Sequence, residues 1–148
     1  MITGRRGGTT GRPYIEGRLA LPHLPDNLWA YCSFIVDTGA EKSVLMPVDA
    51  RRMGLDRSKL SHPTTTIGIG GLSSGFEEFA LVILKDEERN CAFVFRIQVF
   101  IPDVDQDIIE IDGSVLGRDI LDHGVLLYDG PSKLVSFDVT DCDEVHRL

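Results

Sequence analysis

Cysteine is scarce in this chain: Cys32, Cys91 and Cys142 are its three cysteines among 148 residues. They are odd in number and far apart, which excludes a disulfide framework and a zinc-type ligand set. Free thiols in a reducing, cytoplasmic compartment are the expectation. Tryptophan is limited to Trp29, and the histidines His23, His62, His123 and His146 stand at no ligand spacing. So few partners assemble no Ser-His-Asp or Cys-His arrangement for nucleophilic catalysis. Long apolar runs are missing too, so the sequence predicts neither a transmembrane segment nor the apolar centre of a signal peptide. An excess of positive charge is also absent. Net charge is −8, which argues against nucleic acid as a partner. Arg5, Arg6, Arg12 and Arg18 crowd the N-terminus without changing that balance.

What the chain does contain suits one soluble domain with a proper core. Hydrophobic residues make up 43% and charged residues 26%, both ordinary for a globular protein. Residues 1–12, rich in Gly, Thr and Arg, read as a flexible N-terminal tail. From Pro13 short apolar stretches alternate with turn formers, the pattern of an all-β domain over 13–139. Strands are expected over 14–21 and 28–36, with a turn carrying two prolines between them. An extended run comes next at 43–46, then one short helix over 48–53 closed by Gly54. A hairpin over 64–69 and 76–84 flanks the glycines Gly68, Gly70, Gly71 and Gly75. A long strand over 91–101 puts Phe93, Phe95, Ile97 and Val99 on one face, and a last hairpin turns at Asp129-Gly130. Trp29 reads as core, residues 140–148 as a polar C-terminal tail, and no internal repeat stands out.

The segment Phe34-Ile35-Val36-Asp37-Thr38-Gly39-Ala40 carries most of the chemistry. An apolar strand delivers one carboxylate into an abrupt turn, where desolvation would oppose its ionisation. A carboxyl group tuned in this way can act as acid or base. By itself Asp-Thr-Gly is common in plain strand-to-turn junctions. Its weight comes from two segments downstream of it: the Gly-rich hairpin with Ile67-Gly68-Ile69-Gly70-Gly71, then Val115-Leu116-Gly117-Arg118-Asp119-Ile120-Leu121. A phosphate-binding loop is a poor reading of those glycines, because they lead into no P-loop lysine or opening helix.

In this order the three segments resemble those of the retropepsin-like aspartic proteases, the single-domain family that includes the retroviral enzymes. The resemblance covers residues 13–139. It implies a closed, pepsin-like β-barrel with a flap hairpin and a dimeric active site. Asp37 would be the catalytic residue, supported by Thr38, Gly39 and Ala40, with Ser43-Val44-Leu45 continuing the signature. Thr38 would bond across the dimer axis, and Gly39 would orient the carboxylates through backbone N–H groups. Ile67, Gly68, Ile69, Gly70 and Gly71 would form the flap that closes over substrate. Leu116, Gly117 and Arg118 would cross behind the catalytic loop, with Arg118 reaching an acidic partner near the interface.

Metal-free peptide hydrolysis needs one group to deprotonate water and another to protonate the carbonyl oxygen. Two carboxyls sharing one proton do both, since like charges held together cannot both ionise. Asp37 alone stands in an Asp-Thr/Ser-Gly context, because Asp112-Gly113-Ser114 and Asp129-Gly130-Pro131 lack the middle hydroxyl and the approach strand. The second carboxylate must come from another copy, which predicts a symmetric homodimer. The expected activity is an aspartic endopeptidase acting on extended peptide or protein substrates without metal or cofactor. The alternative is a catalytically silent peptide-binding or dimerisation module, and a third reading is a domain cut from a longer polypeptide. Within 102–113, Asp103, Asp105 and Asp107 invite a calcium reading. The EF-hand pattern fails there, with Ile108 where Gly is needed and Ser114 where Glu is needed. A solvated acidic loop favouring basic substrate residues is the expectation instead.

Overall fold

The computed structural model describes residues 1–68, 71–103 and 113–148. In chain order these form β1 (Ile2–Thr3), β2 (Arg5–Gly7), β3 (Arg12–Leu21), β4 (Leu28–Val36) and helix α1 (Pro47–Met53). A single 3-10 turn, Arg57–Lys59, precedes β5 (Pro63–Gly68), β6 (Gly71–Asp86), β7 (Cys91–Pro102) and β8 (Val115–Leu116). The one-turn helix α2 (Arg118–Leu121) then leads to β9 (Gly124–Asp129), β10 (Leu134–Val139) and β11 (Glu144–Arg147). The chain is all-β. Helix α1 is the short helix expected, and α2 joins it as a second that is too short to show a helical period.

The strands fall into two sheets. One has the order β1-β10-β9, and the larger has the order β11-β7-β6-β3-β4-β8, with β2 added at β3 and β5 at β6. Their inner faces close over one core in which Ile15, Leu19, Phe34, Leu45, Phe95, Leu116 and Phe137 are fully buried. The turn between β3 and β4 places Asp26 and Asn27 at positive φ, a conformation these short polar side chains tolerate. Phe93, Phe95, Ile97 and Val99 of β7 face the core. On the opposite side Ala92, Val94 and Phe100 are also buried, outside that core cluster, while Arg96 and Gln98 between them are exposed. Gly54 ends α1 in the left-handed conformation at φ 80°, the closure that glycine supplies most cheaply.

Both ends of the chain depart from expectation. Residues 1–12 are not a free tail: β1 pairs with β10 through Ile2↔Phe137, and β2 pairs with β3. Ile2 is 4% exposed. The composition of this segment concealed its role because β10, the partner of β1, is almost a chain length away. Within 140–148, β11 pairs with β7 while every residue of it stays exposed. It is a polar edge strand rather than a loose end. Trp29 is likewise not core. It is 44% exposed, with the Arg18 guanidinium 4.5 Å over its ring.

The fold also contains a duplication that the sequence conceals. Ser43-Val44-Leu45 and Ser114-Val115-Leu116 meet antiparallel, Val44 and Val115 exchanging two backbone hydrogen bonds of 2.9 Å. Each tripeptide runs parallel to the strand that precedes its loop, 114–116 beside β4 and Val44 beside Phe100 of β7. Each leads directly into a helix, α1 or α2, and Leu45 and Leu116 are both fully buried. The expectation of no internal repeat is corrected here: strand, loop, Ser-Val-Leu and helix occur twice. Only three residues repeat as letters, too few to stand out in the sequence. In the first copy the link is the turn 37–42 that carries Asp37.

Candidate active site

Strand β4 ends at Val36, and Asp37 opens the turn. Its backbone N–H donates to Leu116 O at 3.1 Å, so β8 fixes where the turn begins. The Gly39 N–H donates to Asp37 Oδ1 at 2.9 Å, and Ala40 N–H closes the turn onto Asp37 O at 3.2 Å. A Cβ on Gly39 would stand 3.2 Å from that carboxylate oxygen. Asp37, Thr38 and Gly39 are exposed and Ala40 is half-buried. The desolvation expected from the apolar approach strand is therefore absent in the single chain. Burial ends at the strand, and the turn projects beyond it. Among the described residues no second carboxylate shares a hydrogen bond with Asp37.

Behind the turn, α2 holds the backbone in place. Arg118 N–H donates to Ala40 O at 2.8 Å and Asp119 N–H to Glu41 O at 3.2 Å. Free N–H groups at a helix start need such acceptors, so the Asp37 turn and α2 satisfy each other. Gly117 has to be glycine for this approach, because a Cβ there would lie 2.6 Å from the Lys42 carbonyl carbon and 2.9 Å from Ala40 O. Leu116 is fully buried beneath. Arg118 contributes through its backbone. Its side chain is exposed, and the acidic partner expected for it is not found among the described residues of the same chain.

Sequence reasoning missed two residues of this support. Asp119 accepts the Ser43 backbone N–H on Oδ2 at 2.9 Å and the Ser43 hydroxyl on Oδ1 at 2.7 Å. The same hydroxyl oxygen accepts Gly117 N–H at 3.0 Å. Ser43 is fully buried. The available signal was a Ser six residues past the Asp and an Asp two residues past the Gly, which only a three-dimensional pairing connects.

The hairpin of β5 and β6 is the segment expected to form a flap. Ile67 pairs with Leu72 and Gly68 with Gly71, while Ile69 and Gly70 lie outside the described residues. Ile67 and Leu72 are 82% and 74% exposed, a solvated apolar pair at the end of a strand ribbon. Leu72 was not singled out in the sequence. An ion pair between Lys42 and Glu77 joins the catalytic segment to the base of this hairpin, and Asp103 N–H donates to Ser74 O at 3.0 Å. Asp105, Asp107 and Ile108 of the acidic loop lie outside the described residues. Among the described residues no group of three or more His, Cys, Asp or Glu side chains could hold a metal ion, and no helix is long and apolar enough to cross a membrane. The cysteines are free, Cys32 and Cys91 buried and Cys142 half-buried.

A concavity of about 610 Å³ between β3, β4 and α1, bordered by Tyr14, Tyr31, Asp49 and Arg52, does not reach Asp37. A second, of about 700 Å³, borders Arg18, Ile83 and Lys85 and is also remote from it. The exposed carboxylate and the flap thus face open space in a single chain.

Comparison with known proteins bears on the fold. Residues 30–85 match the family model described as "Aspartyl protease"; they run from β4 through Asp37 and the flap hairpin to the end of β6. The structure is similar to that of a retropepsin-like aspartic protease from Rickettsia conorii, at 21% identity and TM-score 0.53, covering 93% of this chain and 88% of that one. EIAV protease complexed with the inhibitor HBY-793 is similar over 78% of this chain and 90% of its own, at 23% identity and TM-score 0.49. No curated protein matches the sequence.

Proposed function

We infer that this chain, retropepsin-like in fold and carrying an aspartyl protease segment over residues 30–85, is an endopeptidase that works as a symmetric homodimer. The single observation that carries the reading is Asp37. It is an exposed carboxylate on a turn stapled to β8 and α2, oriented by the Gly39 N–H at 2.9 Å, and among the described residues it has no partner carboxylate of its own. In the dimer two Asp37 side chains face each other across the two-fold axis and share one proton. The ionised carboxylate takes a proton from water, and the protonated one donates to the scissile carbonyl oxygen. Water attacks the carbonyl carbon, and collapse of the tetrahedral species breaks the C–N bond as the amine takes a proton.

The flap supplies the substrate grip. An extended peptide lies along the β5–β6 ribbon by adding backbone hydrogen bonds, its side chains pointing alternately into the cleft and away. Ile67 and Leu72 lose their exposure when the flap closes, which excludes water from the carboxylates. The acidic segment from Asp103 onward favours basic substrate residues.

Cleavage of an unbiased peptide library by wild type beside Asp37→Asn tests the reading, with sedimentation establishing the dimer in both. The expected result is cleavage by wild type that vanishes in a still-dimeric variant. A well-formed wild-type dimer that cleaves nothing would move the function to a silent peptide-binding module.

A further inference from the structure

We propose that Asp119 is a positioning residue for Asp37, acting through Ser43, and that its internal counterpart, Asp49 with Ser114, serves stability alone. The inference rests on the endopeptidase reading, and it deepens it by adding a second carboxylate per subunit on which the geometry of the first depends. The carrying observation is the duplication itself. Asp49 Oδ2 accepts both the backbone N–H and the hydroxyl of Ser114, at 3.1 and 2.7 Å. The Ser114 hydroxyl oxygen in turn accepts Met46 N–H at 3.0 Å. Asp119, Ser43 and Gly117 repeat this circuit, with the serine giving two hydrogen bonds to a carboxylate and receiving one from the backbone three residues beyond the other serine. Both serines are fully buried.

The two circuits differ in what they hold. The Asp49 circuit ties the start of α1 to Ser114, and Asp49 also pairs with Arg52 at 2.6 Å. The Asp119 circuit holds the exit of the catalytic turn. Asp37 enters that turn on Leu116 O, and Ala40 and Glu41 are gripped by the N–H groups of Arg118 and Asp119. Ser43 is then fixed by the Asp119 side chain. Four of the turn's anchors therefore lead to residues 116–119, beside the Lys42–Glu77 ion pair and the Phe100 N–H bond to Ser43 O at 3.1 Å. In Asp119 each carboxylate oxygen takes one donor, the N–H on Oδ2 and the O–H on Oδ1. Asparagine puts an NH2 in place of one of them, so both donors must move onto a single oxygen, as they do on Asp49 Oδ2, or one bond is lost. Losing one bond lets the end of the turn move, and a carboxylate displaced by about 1 Å loses on the order of 100-fold in rate.

The test compares Asp119→Asn and Ser43→Ala with Asp49→Asn and Ser114→Ala, with Ser43→Thr as the conservative variant. Active sites are counted by titration with a tight-binding transition-state analogue, so that unfolded protein does not enter kcat. The expected result is a roughly 10- to 100-fold lower kcat per site for Asp119→Asn and Ser43→Ala, with KM within about twofold and recovery in Ser43→Thr. Asp49→Asn and Ser114→Ala should lower the melting temperature and leave kcat per site unchanged. Wild-type kcat in the first pair, or an equal fall in both pairs, would overturn the proposal. Should Asp119→Asn fail to fold, the Ser43 variants decide. A silent wild type would refute the endopeptidase reading. Positioning would then be read from amide exchange at Asp37, expected to speed up roughly tenfold or more in Asp119→Asn but not in Asp49→Asn. Equal exchange in the two variants would refute it.

Discussion

Replacing Gly117 with alanine puts one methyl group where the backbone of the catalytic turn already stands. The Cβ would meet the Lys42 carbonyl carbon at 2.6 Å, Lys42 O at 2.7 Å and Ala40 O at 2.9 Å. None of these is the end of a flexible side chain, so α2 and the turn must separate by several tenths of an ångström. Overpacking of this kind costs about 1–3 kcal/mol. The separation also stretches the Arg118 N–H bond to Ala40 O and the Asp119 N–H bond to Glu41 O, each worth about 1 kcal/mol. The combined loss is about 2–4 kcal/mol, which lowers the melting temperature of a chain this size by roughly 5–15 °C. Activity should fall further than stability, by on the order of 100-fold in kcat/KM, because the displaced segment carries Asp37. Calorimetry and peptide hydrolysis at a temperature where the variant is folded read the two effects separately. A variant that melts within about 1 °C of wild type and cleaves normally would refute the packing argument.

Burial pushes the Cys32 thiol up from the ordinary 9.0 to about 12, helped by the charge of Asp49. The native protein should resist alkylation at Cys32 at pH 8 while Cys142 is modified first; rapid labelling of Cys32 without unfolding would contradict its burial. Because the folded value is raised, the neutral thiol's stabilising effect is complete below about pH 9 and is lost as pH rises toward 12. Denaturant unfolding across that interval should show the loss in wild type and a smaller one in Cys32→Ala. Trp29→Ala should cost about 1 kcal/mol, the scale of an exposed cation–π contact, rather than the roughly 3–5 kcal/mol of a core aromatic; urea unfolding distinguishes the two. Ile67→Ser should leave the melting temperature nearly unchanged, since Ile67 is 82% exposed, yet raise KM several-fold; an unchanged KM would remove the flap tip from substrate binding.

The strands around the candidate site were legible because local signals agreed with the fold. Strand β4 begins and ends where its apolar run does and α1 stops at its glycine, whereas β6 starts at Gly71 rather than at 76 and takes Gly75 into the ribbon opposite Thr64. Long-range effects escaped. Residues 2–3 look like a tail because their partner β10 is almost a chain length away, while the local β2–β3 hairpin, turning at Gly8 and Gly11, is hidden by a composition of Gly, Thr and Arg. Trp29 was assigned to the core by hydrophobicity, but its side chain leaves the sheet on the face where Arg18 covers it. Asp119 and Ser43 both sit in segments the resemblance quotes, but nothing in the sequence pairs them, since that depends on Val44 meeting Val115 across the duplication. Asp37 is the instructive case. Its apolar approach strand suggested a desolvated carboxylate, and the single chain leaves it exposed; in the proposed dimer the partner chain would bury it.

Subunit mixing addresses the two-copy active site most directly. Wild-type and Asp37→Asn chains are denatured together in equal amounts, refolded, and assayed at a fixed total concentration. If each site needs Asp37 from both subunits, mixed dimers are inactive and about one quarter of the wild-type activity remains. A chain with a complete active site of its own would retain about one half, with activity falling linearly as the variant fraction grows, and that result would contradict the shared carboxylate pair.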